Sequence, residues 1–381
     1  MKTPQRVKIS SRAPTRIDLA GGTVDIWPIY LLLQDAITIN LGISLFAETH
    51  LDWQPTSHQP GIQLQSEDQN VSLKLTWDQL LDPSLRVIPQ LELHFKLLRH
   101  TLKQRLHSGW TETPQGSLTL RTRAQSPAGA GLGGSSTLSV SMIGALATWA
   151  QTREATVPID PLDQGERLIE IVKDIETTVI RVPAGLQDYY GAMFGGLQCL
   201  KWGVGSHERD SLDSSLIRGL QDRLLLFYSG QSRNSGINNW ALFKGFIDQK
   251  QEVREPFAAI VQATHELREA LLKKDWEAVG QAIEREWLTR KGLASGISTP
   301  EIDRAFEQAK KLASVAGKVC GAGGGGCFFI YLPQGLSQEQ TDLKAQITQI
   351  FEQAGMRALP FHAPTHGLQI EVHPSLAGSS A

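Results

Sequence analysis

Three cysteines in 381 residues, Cys199, Cys320 and Cys327, are too few and too odd in number for a disulfide framework, and no CxxC pair offers a zinc site. Long apolar runs are missing too, since none approaches the ~20 residues that span a bilayer. Met1 to Ser11 carries several charges and lacks the apolar stretch of a secretory signal. Nor is there an excess of one charge: 37 basic against 39 acidic residues leave a net charge of -2, which gives nucleic acid or an anionic membrane nothing to read. No repeat of solenoid length is visible. These absences point to a soluble, cytoplasmic protein of a reducing compartment, with neither nucleic acid nor membrane as partner.

What is present is ordinary globular material, 41% hydrophobic and 20% charged, enough for two lobes. Strand patterns cover Arg6 to Leu19, Ala36 to Leu51, Gly61 to Gln65, Val71 to Trp77 and Ser117 to Ala124. Helical spacing covers Val87 to Leu106, Ser135 to Gln151 and Pro161 to Glu176. A helix over Gln187 to Phe194 and a strand over Leu197 to Trp202 follow. Composition turns polar at Gly203 to Ser215, which suggests a boundary between lobes 1–212 and 213–381. Beyond it the pattern gives a strand to Tyr228, helices from Asn238 to Arg290, and a further helix over Thr299 to Ala316. A glycine-interrupted strand over Lys318 to Leu332, a helix over Gln338 to Ala354 and a closing strand over Leu368 to Val372 complete the chain. Strands followed by helices in each half predict an α+β protein of two lobes.

Glycine is concentrated in three places. The stretch SPAGAGLGGSS, 126 to 136, lies between a strand and a helix. That arrangement aims free amides and a helix N-terminus at an anion, usually phosphate. Gly129, Gly131 and Gly134 satisfy GxGxxG, but the acidic residue near the right distance, Glu154, follows a helix and not a second strand, so the dinucleotide reading lacks its context. No lysine makes it a Walker loop. Ser135, Ser136 and Thr137 are suited to ligate a phosphate-bound magnesium ion or simply to cap the helix. On the stretch alone, a phosphate loop and a flexible capped turn weigh equally. The second place is RAPTRIDLAGGTVDI, 12 to 26, where Arg16, Asp18 and Asp25 surround a Gly-Gly turn; taken alone, each reads more readily as a solvated or capping residue than as part of a cleft. In the third, KVCGAGGGGCFFIY, five of the six residues 321–326 are glycine, which marks close approach of a backbone or a ligand.

In this order and at these separations, the three stretches resemble the three motifs of the GHMP kinase superfamily, which includes galactokinase, homoserine kinase and mevalonate kinase. The chain is most similar to the heptose kinases that phosphorylate the anomeric position of a heptose 7-phosphate. APTRIDLAGG, AGLQDYYGAMFGG (184 to 196), YSGQSRNSG (228 to 236) and residues 293–326 carry that likeness. It implies an N-terminal lobe like ribosomal protein S5 domain 2 and a ferredoxin-like C-terminal lobe. It also implies ATP and Mg2+ as cofactors and a sugar or sugar phosphate as partner, and it leaves a homodimer open.

By the same resemblance Pro127, Ala128, Gly129, Ala130, Gly131, Leu132, Gly133, Gly134, Ser135 and Ser136 wrap the ATP phosphates, and Ser135 with Glu176 faces the metal. Asp188 matches the base that takes the proton of the attacking hydroxyl, and Arg16 matches the basic residue beside it. Asp25, Gly22 and Thr23 fall in the sugar pocket; Gly323 and Gly324 close the cleft over the substrate. Arg233 is a candidate clamp for a distal phosphate or for ATP, and equally a solvated loop residue. The chain departs from the heptose-kinase pattern GGGTD, with Thr23 in place of a glycine and Val24 in place of a threonine, and Leu186 stands where a lysine is common. Two other readings remain: a kinase of a non-sugar alcohol such as mevalonate, and a non-catalytic binding relative, which the presence of both Asp188 and Glu176 disfavours.

Overall fold

The computed structural model describes residues 6–55, 57, 59–107, 114–151, 161–231, 235–335 and 341–374. Branched and alternating residues make two long strands, β1 (Val7–Ala20) and β2 (Ile37–Gln54), paired antiparallel from Val7 with Trp53 to Ala20 with Ile39. β3 (Gly61–Ser66) and β4 (Val71–Leu75) form a hairpin, followed by α1 (Trp77–Leu81) and α2 (Glu92–His107). β5 (Ser117–Ala124) then enters between β2 and β3, antiparallel to the first and parallel to the second. Three helices come next: α3 (Gly134–Gln151), α4 (Gly165–Ile180) and α5 (Gln187–Phe194). β6 (Leu197–Trp202) pairs with the start of β2, and β7 (His207–Ser211) pairs with β6.

The second half holds α6 (Ser214–Gln221), β8 (Leu224–Tyr228), α7 (Ser235–Ile247), α8 (Gln251–Lys273), α9 (Trp276–Lys291), α10 (Pro300–Leu312), β9 (Ala316–Val319), β10 (Cys327–Tyr331), α11 (Thr341–Gln353), β11 (Arg357–Ala358) and β12 (Gln369–Pro374). Its four-stranded sheet runs β11-β8-β10-β9 and is antiparallel throughout. A strand, helices, two strands, a helix and a strand in chain order, with the strands laid side by side as β11-β8-β10-β9, make the ferredoxin-like arrangement. β12 leaves this lobe and pairs with β1, so the last strand completes the first sheet rather than the second. A buried apolar cluster joins the lobes, with Ile17, Ile39 and Leu41 from one side and Leu224, Ile283 and Phe329 from the other.

Four local expectations change. The polar segment after Gly203 holds β7, an edge strand whose charged residues face solvent, so polarity there marks an exposed edge and not simply a linker. The strand expected through Trp77 stops at Leu75, because Thr76 accepts the Gln79 amide at 3.1 Å while Gln79 accepts the Thr76 amide at 2.9 Å, a capping box that opens α1. The helix expected from Val87 begins at Glu92, behind a short turn of 3₁₀-helix with Pro89 at its head. The stretch from Lys318 to Leu332 is not one interrupted strand but the antiparallel pair β9–β10, and Gly321 to Gly326 forms the loop joining them. The three cysteines are free and buried. No described helix is long and apolar enough to cross a membrane.

Candidate active site

β5 delivers the chain to a cleft of about 860 Å³ lined by residues of both lobes. On its floor runs the first glycine stretch. Gly129, Gly131 and Gly133 take φ values of 67°, 76° and 72°, the left-handed region that turns successive amides the same way. α3 begins at Gly134, so the amides of its first turn have no acceptor within the helix. The Ser-Thr-Leu-Ser-Val-Ser-Met-Ile sequence after Ser135 is buried against β1 and β2, and the Ser141 hydroxyl bonds inward, donating to Thr49 at 2.8 Å. The loop therefore hangs from a rigid helix. Pro127 through Ser136 line the cleft with one exception: Leu132 is turned down into the apolar cluster between the lobes.

The third glycine stretch packs on the first, backbone to backbone. The Cys327 amide donates to the Ala130 carbonyl at 2.7 Å. A Cβ on Gly131 would stand 2.4 Å from the Cys320 carbonyl oxygen, and one on Gly326 would stand 2.8 Å from that of Ala130. The close approach anticipated for these glycines is thus made chiefly by another loop of the same chain. Gly321 and Ala322 reach the cleft. Gly323 and Gly324 do not; a Cβ on the first would strike the Ile297 carbonyl at 2.6 Å, and the second donates its amide there at 2.8 Å.

Arg16 on β1 and Asp188 in the first turn of α5 meet above the loop. The Arg16 Nε donates to Asp188 at 2.8 Å and a second nitrogen donates to the same oxygen, while its Nη1 donates to the Gly131 carbonyl at 2.8 Å. Burial works against the charge of Arg16, and Asp188 followed by Asp18 more than restores it. Gly133 leaves the room Asp188 needs, for a Cβ there would lie 2.9 Å from its carboxyl carbon. One residue away, the Gln187 amide donates to Asp25 at 2.9 Å. Asp25 is buried, and desolvation, opposed by that amide and reinforced by Asp188 and Asp18, raises its pKa to about 7.

Glu176 on α4 is buried beside the start of α3, where Ser139 donates to it weakly at 3.4 Å. Desolvation raises its pKa, with the hydroxyls of Ser135, Tyr189 and Ser136 pulling the other way. Among the described residues no cation pairs with it. A buried acceptor next to serine hydroxyls and a phosphate-type loop, with its charge unmatched, fits a hard cation held jointly by phosphate oxygens. No cluster of three or more His, Cys, Asp or Glu among the described residues would hold a metal by itself.

Thr23 lines the cleft beside Asp25, whereas Gly22 lies beneath it against Asp18. Arg233 lies outside the described residues. Sequence reasoning missed a buried charge network under the Gly22–Thr23 turn, in which Arg290 and Glu286 of α9 meet Lys318 of β9 and Asp18 of β1. A full-length lysine inside an apolar strand, Lys318 between Gly317 and Val319, was its available signal. Also missed were Asp68, Gln69 and His94, which bring the motif-free segment 51–110 to one wall of the cleft, and Trp240 of α7.

The description "GHMP kinases N terminal domain" matches residues 93–196, and "GHMP kinases C terminal" matches residues 267–347. The D-glycero-alpha-D-manno-heptose 7-phosphate kinase of Campylobacter jejuni is 27% identical over 333 residues, which cover 85% of this chain and 89% of that protein. The L-fucokinase/L-fucose-1-P guanylyltransferase of Bacteroides fragilis is 25% identical over 84% of this chain but only 34% of its own length. A solved D-glycero-D-manno-heptose 1-phosphate kinase from Bacteroides thetaiotaomicron superposes with a TM-score of 0.68 at 19% identity, covering 95% of this chain and 98% of that one, a likeness of fold.

Proposed function

We propose, from the premise that this chain belongs to the GHMP kinase family, that it is an ATP-dependent kinase of a sugar or sugar phosphate, acting at the anomeric hydroxyl. The observation that carries the reading is the convergence in one cleft of the glycine loop, the Arg16–Asp188 pair and the buried carboxylate of Asp25. Relatives named for heptose 7-phosphate and for fucose support the sugar over mevalonate, whose named kinase matches 57% of the chain.

The loop amides of Gly129 to Ser135 and the positive end of α3 hold the triphosphate. Ser135 and Glu176 are the residues that would hold magnesium, which when bound with ATP neutralises phosphate charge and leaves the γ-phosphorus open to attack. Asp25 accepts a hydrogen bond from the sugar and fixes its orientation. Asp188 takes the proton of the reacting hydroxyl as that oxygen bonds to the γ-phosphorus and the bond to the β-phosphate oxygen breaks, releasing ADP. Arg16 keeps Asp188 aimed at the loop and places positive charge where the transferred group becomes most negative. Purified protein with ATP, magnesium and a panel of hexoses, heptoses, their phosphates and mevalonate tests this. A phosphorus NMR signal from an anomeric phosphate is expected; product from mevalonate alone would contradict it.

A further inference from the structure

Thr23 has φ 70°, and of the positions in the sugar-pocket turn it is the one where a β-branched side chain pays most for a left-handed backbone. Glycine is the ordinary occupant of such a position, and glycine is what the heptose-kinase pattern carries there. Nothing in the turn itself asks for threonine, since the Ile26 amide bonds to the Thr23 carbonyl, at 3.3 Å, and not to the side chain. The side chain is held from the other lobe. Arg290 donates through Nη1 to the Thr23 hydroxyl at 3.3 Å and through Nη2 to the Gly22 carbonyl at 2.8 Å.

Arg290 is itself fixed. It donates to Glu286 at 2.9 and 2.6 Å, Glu286 accepts from Lys318 at 2.9 Å, and Lys318 reaches Asp18 at 3.4 Å. All four side chains are buried. Asp18 closes the circuit, because a Cβ on Gly22 would stand 2.2 Å from its Oδ2. The turn is clamped from below by β1 and from the side by α9. Thr23 lines the cleft two residues before Asp25. A strained residue retained by a surrounding structure that over-determines it is the signature of a functional position.

We infer that Thr23, clamped by Arg290, sets which sugar the cleft accepts: its side chain fills space that a glycine leaves open beside Asp25, and so disfavours sugars bulky at that point. The inference rests on the sugar occupying the Asp25 end of the cleft. A filled or emptied methyl-sized space in a pocket changes discrimination by roughly 10-fold or more. Purified wild type, Thr23→Gly and Thr23→Val are compared by kcat/KM for D-glycero-D-manno-heptose 7-phosphate and for D-mannose, with the KM for ATP and Tm measured in parallel. Thr23→Gly is expected to move the ratio about 10-fold toward the bulkier heptose with the KM for ATP unchanged. Thr23→Val, which keeps the volume and loses the bond to Arg290, is expected to keep the wild-type ratio with a lower Tm. An unchanged ratio in Thr23→Gly, or a shift in Thr23→Val as large as that in Thr23→Gly, overturns the inference while leaving the kinase reading intact. Wild type that phosphorylates no hexose, heptose or sugar phosphate of the wider panel overturns the sugar reading and this inference together.

Discussion

Asp188 and Asp25 sit one hydrogen-bonded step apart, yet their surroundings assign them different work. Asp188 keeps about a quarter of its side chain exposed and takes two bonds from Arg16, as suits a group that must meet a reacting hydroxyl. Asp188→Asn keeps the shape and loses the acceptor of the proton; turnover is expected to fall by roughly 10²- to 10⁴-fold with the KM for ATP near normal, measured by steady-state kinetics. Turnover within a factor of about two of wild type would remove it as the base. Asp25 is buried and holds its proton up to about 7, against 3.8 in the unfolded chain. Between those values the folded state binds the extra proton, so this group's contribution to stability is full below 3.8 and is lost as pH rises through 7. The ionised form, proposed to grip the sugar, becomes abundant only above that point. The KM for sugar should therefore drop as pH climbs through 7 while the KM for ATP stays flat, and Asp25→Asn should abolish the slope. A slope that survives in Asp25→Asn belongs to another group. Both aspartates could be singled out from the sequence, because each lies in a stretch that resembles a family motif. Arg290 and Lys318 could not, since only the fold brings residues from α9, β9 and β1 under one turn.

At the scale of elements, the two glycine loops act as one object. The β9–β10 loop lies on the first glycine loop so closely that the missing side chains of Gly131 and Gly326 make the contact possible. Gly131→Ala adds a Cβ 2.4 Å from the Cys320 carbonyl and puts alanine at φ 76°, so two penalties coincide. A loss of about 2 kcal/mol in unfolding free energy is expected, with ATP affinity lowered as well. Denaturant titration and nucleotide binding measure both; an unaltered midpoint with unaltered ATP binding would mean that the loops separate freely. Most elements were legible from periodicity, and α5 and β6 fall where their residues predict. The lapses share a cause. The capping box at Thr76 and the hairpin at Gly321 to Gly326 turn on which backbone bonds form, and hydrophobic spacing carries little of that information. The glycine-rich loops advertised close approach but not the partner, and for Gly323 and Gly324 the partner is Ile297 rather than the cleft.

For the whole molecule, the question is what keeps two lobes in the register a phosphoryl transfer needs. The loop proposed to hold phosphate and the carboxylates proposed to hold the acceptor come from the first lobe, while the second lobe supplies the loop packed on it and most of the charge network beside them. Burial alone would raise the Glu286 pKa, but Arg290 and Lys318 hold it down to about 2, so Glu286 stays charged across the working range. Removing one member leaves the others buried without compensation. Lys318→Met is expected to cost about 3 kcal/mol of stability and to raise the KM for sugar more than that for ATP. Thermal unfolding with kinetics on the same preparation decides; a variant as stable as wild type would show that the apolar cluster alone holds the lobes in place.

Diffraction from crystals soaked with a non-hydrolysable ATP analogue, magnesium and the acceptor sugar measures the arrangement directly. The account predicts the triphosphate on the amides of Gly129 to Ser135, with the sugar between Asp25 and Asp188. A nucleotide bound away from that loop, or an acceptor out of reach of Asp188, would contradict it.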